Sequence, residues 1–281
     1  KIIKAINKKT KVIMLVNVLG ISTDVEKVVN YAKKKKIIVI EDNCEALGAK
    51  LKNKYLGTFG DFGTFSFFYS HQITCGEGGM ITCNNKSDYK LLISLRSHGW
   101  TKDKRLYLEY AKKYPNIDPR YIFVNEGFNL RPTDIQAAIA NNQFKKLSKF
   151  IKDRNSNKSL IIRKLKSSPK WNNQFNFVEV PKTIKPSYMG LAVILNKKYK
   201  SKKKKFIEFL EQKGIETRPI LSGPFTSQPS TKLFNLNKSN NKFPECQKVQ
   251  DLGFLIGLNS KKIKIKKLNF VIDSLLKIDL L

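Results

Sequence analysis

The run IIVIEDNCEALGA, residues 37–49, decides how the chain folds. A continuous Ile/Val stretch ending in two acids reads as a central strand of a parallel sheet, buried on both faces, whose carboxyl end opens into a ligand crevice. An acid in such a place needs a favourable partner or it gives up its charge to desolvation. Asp42 therefore either caps the segment that follows, pairs with an Arg, or faces a cation such as a protonated pyridine nitrogen; Glu45 follows three residues later.

Working outward, Val12 to Val18 reads as a second buried strand, and Thr23-Asp24 as the cap of a helix with Val25, Val28, Val29 and Ala32 on one face. Gly63 to Ser70 and Gly79 to Cys83 read as further strands, and Asp88 to Arg96 as a helix. Thr101 to Asn125 has weak periodicity and reads as loop. Thr133 and Gln136 form a T-x-x-Q capping box, opening one long helix into the 160s with Ile135, Ile139, Leu147, Phe150 and Ile151 on one side. The Ser/Pro/Asn-rich stretch SSPKWNNQFN marks a boundary, giving a large domain over 1–165 and a small one over 166–281. The small domain is expected to hold strand Tyr188 to Leu195, helix Lys202 to Lys213 and strand Ile215 to Ile220. The whole is an α/β fold.

The formal charge of +32 on 281 residues raises nucleic-acid binding. The charge is mostly Lys spread along the whole chain, with Arg sparse and no recognition module beside it, so nucleic acid is not the expected partner. Cys44, Cys75, Cys83 and Cys246 have no C-x-x-C pair and no zinc spacing, which points to reduced thiols, no metal site and a cytoplasmic location. The opening KKTKVIMLVNVLG imitates a signal peptide but lacks a small-residue cleavage site, and no apolar run is long enough to span a membrane.

The chain has two histidines, His71 and His98, and His71 stands between an aromatic strand and a glycine-rich turn in FSFFYSHQITCGEGGMI, residues 65–81. Taken together, EDNCEALGA, GTFGDFGTFSFFYSHQITCGEGGM, RSHGW at Arg96–Trp100, GFNLRPTDIQAA at Gly127–Ala138 and GIETRPI at Gly214–Ile220 resemble the vitamin-B6-dependent sugar aminotransferase (DegT/DnrJ/EryC1/StrS) family. The resemblance implies an aspartate-aminotransferase-like large domain of PLP fold type I, here amino-terminally incomplete, followed by a smaller α/β domain. It implies pyridoxal or pyridoxamine phosphate as cofactor and a homodimer with shared sites.

At the position of His71 the aminotransferases carry the Lys that holds the cofactor as a Schiff base, a bond an imidazole cannot make. The His-containing branch resembles the 3-dehydratases of GDP- and CDP-linked 4-keto-6-deoxyhexoses, which use a non-covalently bound pyridoxamine form to remove the C3 hydroxyl in deoxysugar and lipopolysaccharide biosynthesis. One imidazole placed between cofactor and C3 can take one proton and deliver another, with a pKa near working pH. Glu45, where aminotransferases commonly have Gln, matches the same branch, as does SGPFTSQP at Ser222–Pro229, although Pro224 departs from the usual Asn.

Other roles follow from the resemblance. Asp42 would hold the ring nitrogen protonated, Ser66 would bind the cofactor phosphate, and Asn129 would reach the phosphate of the neighbouring subunit. Arg218 is a substrate candidate. His98 reads either as a substrate contact or as a helix-terminal histidine. Gly76, Gly78 and Gly79 read as a tight turn rather than a phosphate cradle. The extra cysteines of the iron–sulfur subgroup are missing after Arg96, so no cluster is expected and glutamate is the expected amino donor. Two other functions remain open: a sugar aminotransferase with an altered Lys, and a basic binding protein on an inactive scaffold.

Overall fold

The computed structural model describes residues 1–22, 24–234 and 243–281. They form two compact units, one of residues 1–18 and 22–146, the other of residues 19–21 and 147–281.

The first unit carries β1 (Val12–Val16), α1 (Val25–Lys34), β2 (Ile38–Asp42), β3 (Phe62–Ser66), β4 (Gly79–Cys83), α2 (Lys86–Leu95), α3 (Lys104–Lys113) and α4 (Asp134–Phe144). Its sheet runs β1-β2-β3-β4, with the first three strands parallel and β4 antiparallel to β3. The register pairs Val16 with Asp42, Asp42 with Thr64 and Ser66 with Gly79. The carboxyl ends of the parallel strands therefore share one edge, where an open α/β sheet places its ligand. Buried Asn17 and Asn43 tie that edge together: Asn17 Nδ2 donates to Asn43 Oδ1 at 2.8 Å, and the Asn43 N–H donates to the Thr64 carbonyl at 2.8 Å.

The helix α1 packs on β2 with Val25, Val28, Val29 and Ala32 buried. Thr23 lies outside the described residues, and Asp24 sits at the N-cap without a side-chain hydrogen bond to the helix. β1 and β2 are fully buried on one face only. Ile13, Leu15 and Val39 point inward, whereas Val12, Met14, Val16 and Ile38 are exposed, correcting the expectation of burial on both faces. The Ile/Val content of these strands reflects pleated-surface preference as well as burial.

Two further expectations differ. Residues 104–113, read as loop, form α3, whose apolar anchor is the buried Leu106. The long helix from 134 is two helices, because α4 ends at Phe144 and α5 (Leu147–Lys166) starts anew. Asn141 and Asn142 are weak helix formers just before the break, and Ile135 is 74% exposed, so the supposed apolar stripe is not continuous. The second compact unit resumes at Leu147, so α5 lies within it.

The second unit adds β5 (Phe175–Phe177), β6 (Gly190–Leu195), α6 (Lys203–Gln212), β7 (Thr217–Arg218), α7 (Pro244–Leu252), β8 (Gly253–Gly257) and α8 (Ile265–Leu275). Its sheet is wholly antiparallel in the order β7-β8-β6-β5. Phe206 is sandwiched between Phe175, stacked at 6.1 Å, and Phe254, edge-on at 5.9 Å. Leu165 of α5 joins the same core with Leu191, Leu210 and Leu275. Each such burial stabilises by about 1.5–3 kcal/mol.

Candidate functional site

At the end of β2 the pleat turns Glu41 and Asp42 to opposite faces. Glu41 is wholly buried: its Oε2 accepts the Gly57 N–H at 2.8 Å, and its Oε1 accepts those of Phe59 at 2.7 Å and Gly60 at 2.8 Å. It organises the loop that leads into β3. Asp42 is half-buried, and its Oδ1 accepts the Cys44 N–H at 3.0 Å, so it does cap the segment that follows. The Cys44 thiol is pushed up to about 12, first by burial and then by the neighbouring Asp42 carboxylate.

Ser66 ends β3 two residues after the partner of Asp42. Its Oγ accepts the Phe68 N–H at 3.2 Å, which leaves the hydroxyl proton to donate. Beyond it the chain makes a loop closed at the base by Phe67 N–H to the Gly78 carbonyl, 2.8 Å, and Cys75 N–H to the Phe67 carbonyl, 3.0 Å. Gly76 has φ of +84° in this loop, a left-handed value that matches the tight-turn reading of the glycines. His71 sits in the loop with its N–H on the Phe68 carbonyl at 3.1 Å and the Phe68 ring edge-on at 6.2 Å. His71 Nδ1 is buried and has no hydrogen-bond partner among the described residues. Its neighbour Gln72, 1% exposed, donates from Nε2 to the Glu45 carbonyl, tying the His71 loop to the turn after β2. Asp42, Glu45, Ser66 and His71 are thus gathered at the carboxyl edge of the sheet.

His98 and Asn129 form a second cluster in the same unit. The His98 N–H donates to the Phe128 carbonyl at 2.8 Å, and Ser97 bridges to Asn129. His98 is exposed with φ of +61° and lies beyond the end of α2 at Leu95, in a turn rather than on the helix. Asn129 is exposed and its Oδ1 accepts from Arg131 Nε at 3.2 Å. The Thr133–Gln136 capping box is formed, and Gln136 Nε2 also donates to the Glu77 carbonyl at 2.9 Å. That bond fastens the start of α4 to the glycine turn beyond His71.

Arg218 lies in the second unit on β7, where its guanidinium pairs with Glu216 at 2.8 Å. Pro224 precedes a single helical turn at Phe225–Ser227. Sequence reasoning overlooked Glu41 and Gln72; strand alternation was the available signal separating Glu41 from Asp42. Among the described residues no three His, Cys, Asp or Glu side chains group as a metal site, and no helix is long and apolar enough to cross a membrane.

These residues fit a pyridoxal-type cofactor. The orphaned Nδ1 of His71 is a buried polar atom in want of a partner, and Asp42 and Ser66 offer, on neighbouring strand ends, an acceptor for a ring N–H and a donor for a phosphate.

Comparison with known proteins agrees with that chemistry. The model of the DegT/DnrJ/EryC1/StrS aminotransferase family matches residues 1–274. The GDP-4-keto-6-deoxy-D-mannose 3-dehydratase of Escherichia coli is 35% identical over 242 residues, covering 85% of this chain and 61% of that protein. The enzyme of the same name from Yersinia pseudotuberculosis is 35% identical over 229 residues, covering 80% of this chain and 56% of its own length. A solved structure of the E. coli dehydratase with bound hydrated PLP superposes with a TM-score of 0.82 at 29% identity, covering 98% of this chain and 69% of that one. The chain thus spans less than two thirds of the length of these curated relatives.

Proposed function

The chain belongs to the DegT/DnrJ/EryC1/StrS aminotransferase family, and we propose from that premise that it serves the 3-dehydration of a nucleotide-linked 4-keto-6-deoxyhexose. The observation that carries this reading is His71, an imidazole with a buried, unpartnered Nδ1 at the place where the family's aminotransferases have their Lys. A GDP-linked sugar is the proposed substrate, by similarity to the two dehydratases.

The cofactor, when bound, supplies an amine to join the C4 carbonyl and a ring that accepts electrons. The Asp42 carboxylate, at the end of β2, keeps the ring nitrogen protonated. Ser66 donates to the phosphate, and Glu45 faces the cofactor from the turn after β2. His71 moves the protons: its imidazole accepts one from carbon and delivers one to the C3 oxygen, which departs as water. With no Lys at this position the chain does not compete for the cofactor carbon, so elimination precedes return of the proton. Glutamate is the proposed amino donor, and the bound cofactor is held without a covalent link. His98 and Arg218 are proposed to contact substrate.

We also propose a homodimer. Tyr121, Phe123, Phe128, Leu130 and Ile135 are all exposed, a density of apolar side chains in one segment that suits contact with a second copy. Asn129 lies within that segment, which supports its role toward a neighbour's cofactor phosphate. Four free thiols support a cytoplasmic setting.

The test is to supply the purified chain with pyridoxal phosphate, glutamate and GDP-4-keto-6-deoxymannose. Release of 2-oxoglutarate, ammonia and a 3-deoxy sugar is expected. An amino sugar without ammonia would instead make the protein an aminotransferase.

A further inference from the structure

The loop that carries His71 leaves β3 after Ser66 and returns at Gly78, and its second limb is gathered on one atom, the Glu77 carbonyl oxygen. That oxygen accepts from the Cys75 thiol at 3.2 Å, within the loop, and from Gln136 Nε2 at 2.9 Å, 59 residues further on. The same Gln136 amide starts α4. Its Oε1 accepts the Thr133 N–H at 2.8 Å, while the Gln136 backbone N–H donates to Thr133 Oγ1 at 3.2 Å. One side-chain amide thus uses its acceptor to cap a helix and its donor to clasp the loop. Turned over, it would set donor against donor and acceptor against acceptor.

We infer, on the function proposed above, that Gln136 is a positioning residue for His71: its Nε2–H, held by the start of a helix, fixes the returning limb of the loop and with it the imidazole. His71 Nδ1 is buried without a partner among the described residues, so the ring takes its place from the backbone that bears it. That backbone is permissive on the returning side. Glu77 lies between Gly76 and Gly78, and a Cβ built on Gly76 would meet nothing within 4 Å, so side-chain packing does not restrain the limb there. The Gln136 bond supplies the restraint from a rigid element. Supporting bonds of this kind determine whether a site is held closely enough to act.

Gln136→Glu and Gln136→Lys separate the two uses of the amide. The carboxylate keeps the acceptor for the Thr133 N–H and loses the donor to Glu77; the ammonium keeps a donor and loses the acceptor. The first measurement is hydrogen exchange of the cofactor-free chain, read by NMR. In Gln136→Glu the Phe67 and Cys75 amides, which close the base of the loop, should exchange at least about tenfold faster, with the Thr133 amide unchanged. Gln136→Lys should show the reverse. In the cofactor-loaded chain, Gln136→Glu should lower kcat about ten- to a hundredfold, at most the cost of displacing a reacting group by about 1 Å, at unchanged KM for glutamate. Gln136→Lys should regain most of that loss. A residue serving α4 alone would give wild-type loop amides and kcat in Gln136→Glu and impaired values in Gln136→Lys, and that result would overturn the inference. If the wild-type chain takes up no cofactor, the functional reading fails, and the loop amides still decide whether Gln136 holds the His71 loop.

Discussion

Glu41 and Asp42, adjacent at the end of β2, divide structure from chemistry between them. Glu41 turns inward and accepts three backbone N–H groups from residues 57–60, while Asp42 turns to the sheet edge and accepts the Cys44 N–H. The same division separates the effects expected of their variants.

Glu41→Gln puts an amide NH₂ where a carboxylate oxygen met backbone donors in a wholly buried site. Leaving such donors unsatisfied should cost at least about 2 kcal/mol. A lowered urea midpoint for the first unit would be the readout, and an unchanged midpoint would mean that the loop holds itself.

Asp42→Asn should leave that midpoint nearly in place, since the hydrogen bond its side chain accepts from the Cys44 N–H can be kept by the amide oxygen. Turnover should nevertheless fall at least about a hundredfold, the scale of losing a main electrostatic contribution. Near-normal kcat would make Asp42 a capping residue alone.

Lys158 on α5 offers a pH test. Its Nζ donates to the Val178 carbonyl at 3.0 Å and lies 3.7 Å from the centre of the Tyr188 ring, and burial pushes the ammonium down to about 8, with Glu179 partly opposing. Below that pH the group is charged in both states and burial works against folding. Between about 8 and the unfolded value of 10.5 the unfolded chain binds more protons, so this residue's contribution makes stability rise with pH. Urea midpoints across that window should show the rise in wild type and a smaller one in Lys158→Met; equal slopes would count against it.

His71→Asn keeps a polar side chain of similar reach without the base. Cofactor uptake should survive while dehydration slows about a hundred- to ten-thousandfold, the scale of general acid–base catalysis. Undiminished 3-deoxy product would hand the role to another group, His98 first among them.

Much of this was legible in the residues. IIVIED announced its strand because an Ile/Val run closed by acids has few other readings, and Thr133 with Gln136 announced a helix start because a capping box is a local device. Less legible was whatever depends on partners distant in sequence. Residues 104–113 gave little sign of α3, since KRLYLEYAKK offers few apolar residues among its charges and tyrosines, and the break after Phe144 lay hidden in a pattern that two helices share by accident of phase. The Gln72 bond to Glu45 and the orphaned His71 nitrogen depend on how loops meet, which spacing does not encode.

The absence of a covalent link at His71 is open to direct measurement. The chain is loaded with pyridoxal phosphate, its absorbance recorded, then reduced with borohydride and mapped by mass, beside His71→Lys. The expected result is bound cofactor that gel filtration removes from the reduced wild type, with no pyridoxyl group in the site peptides, and a pyridoxyl group on residue 71 of the variant. A pyridoxyl group on a Lys of the wild-type site, or none on the variant, would contradict the assignment of His71.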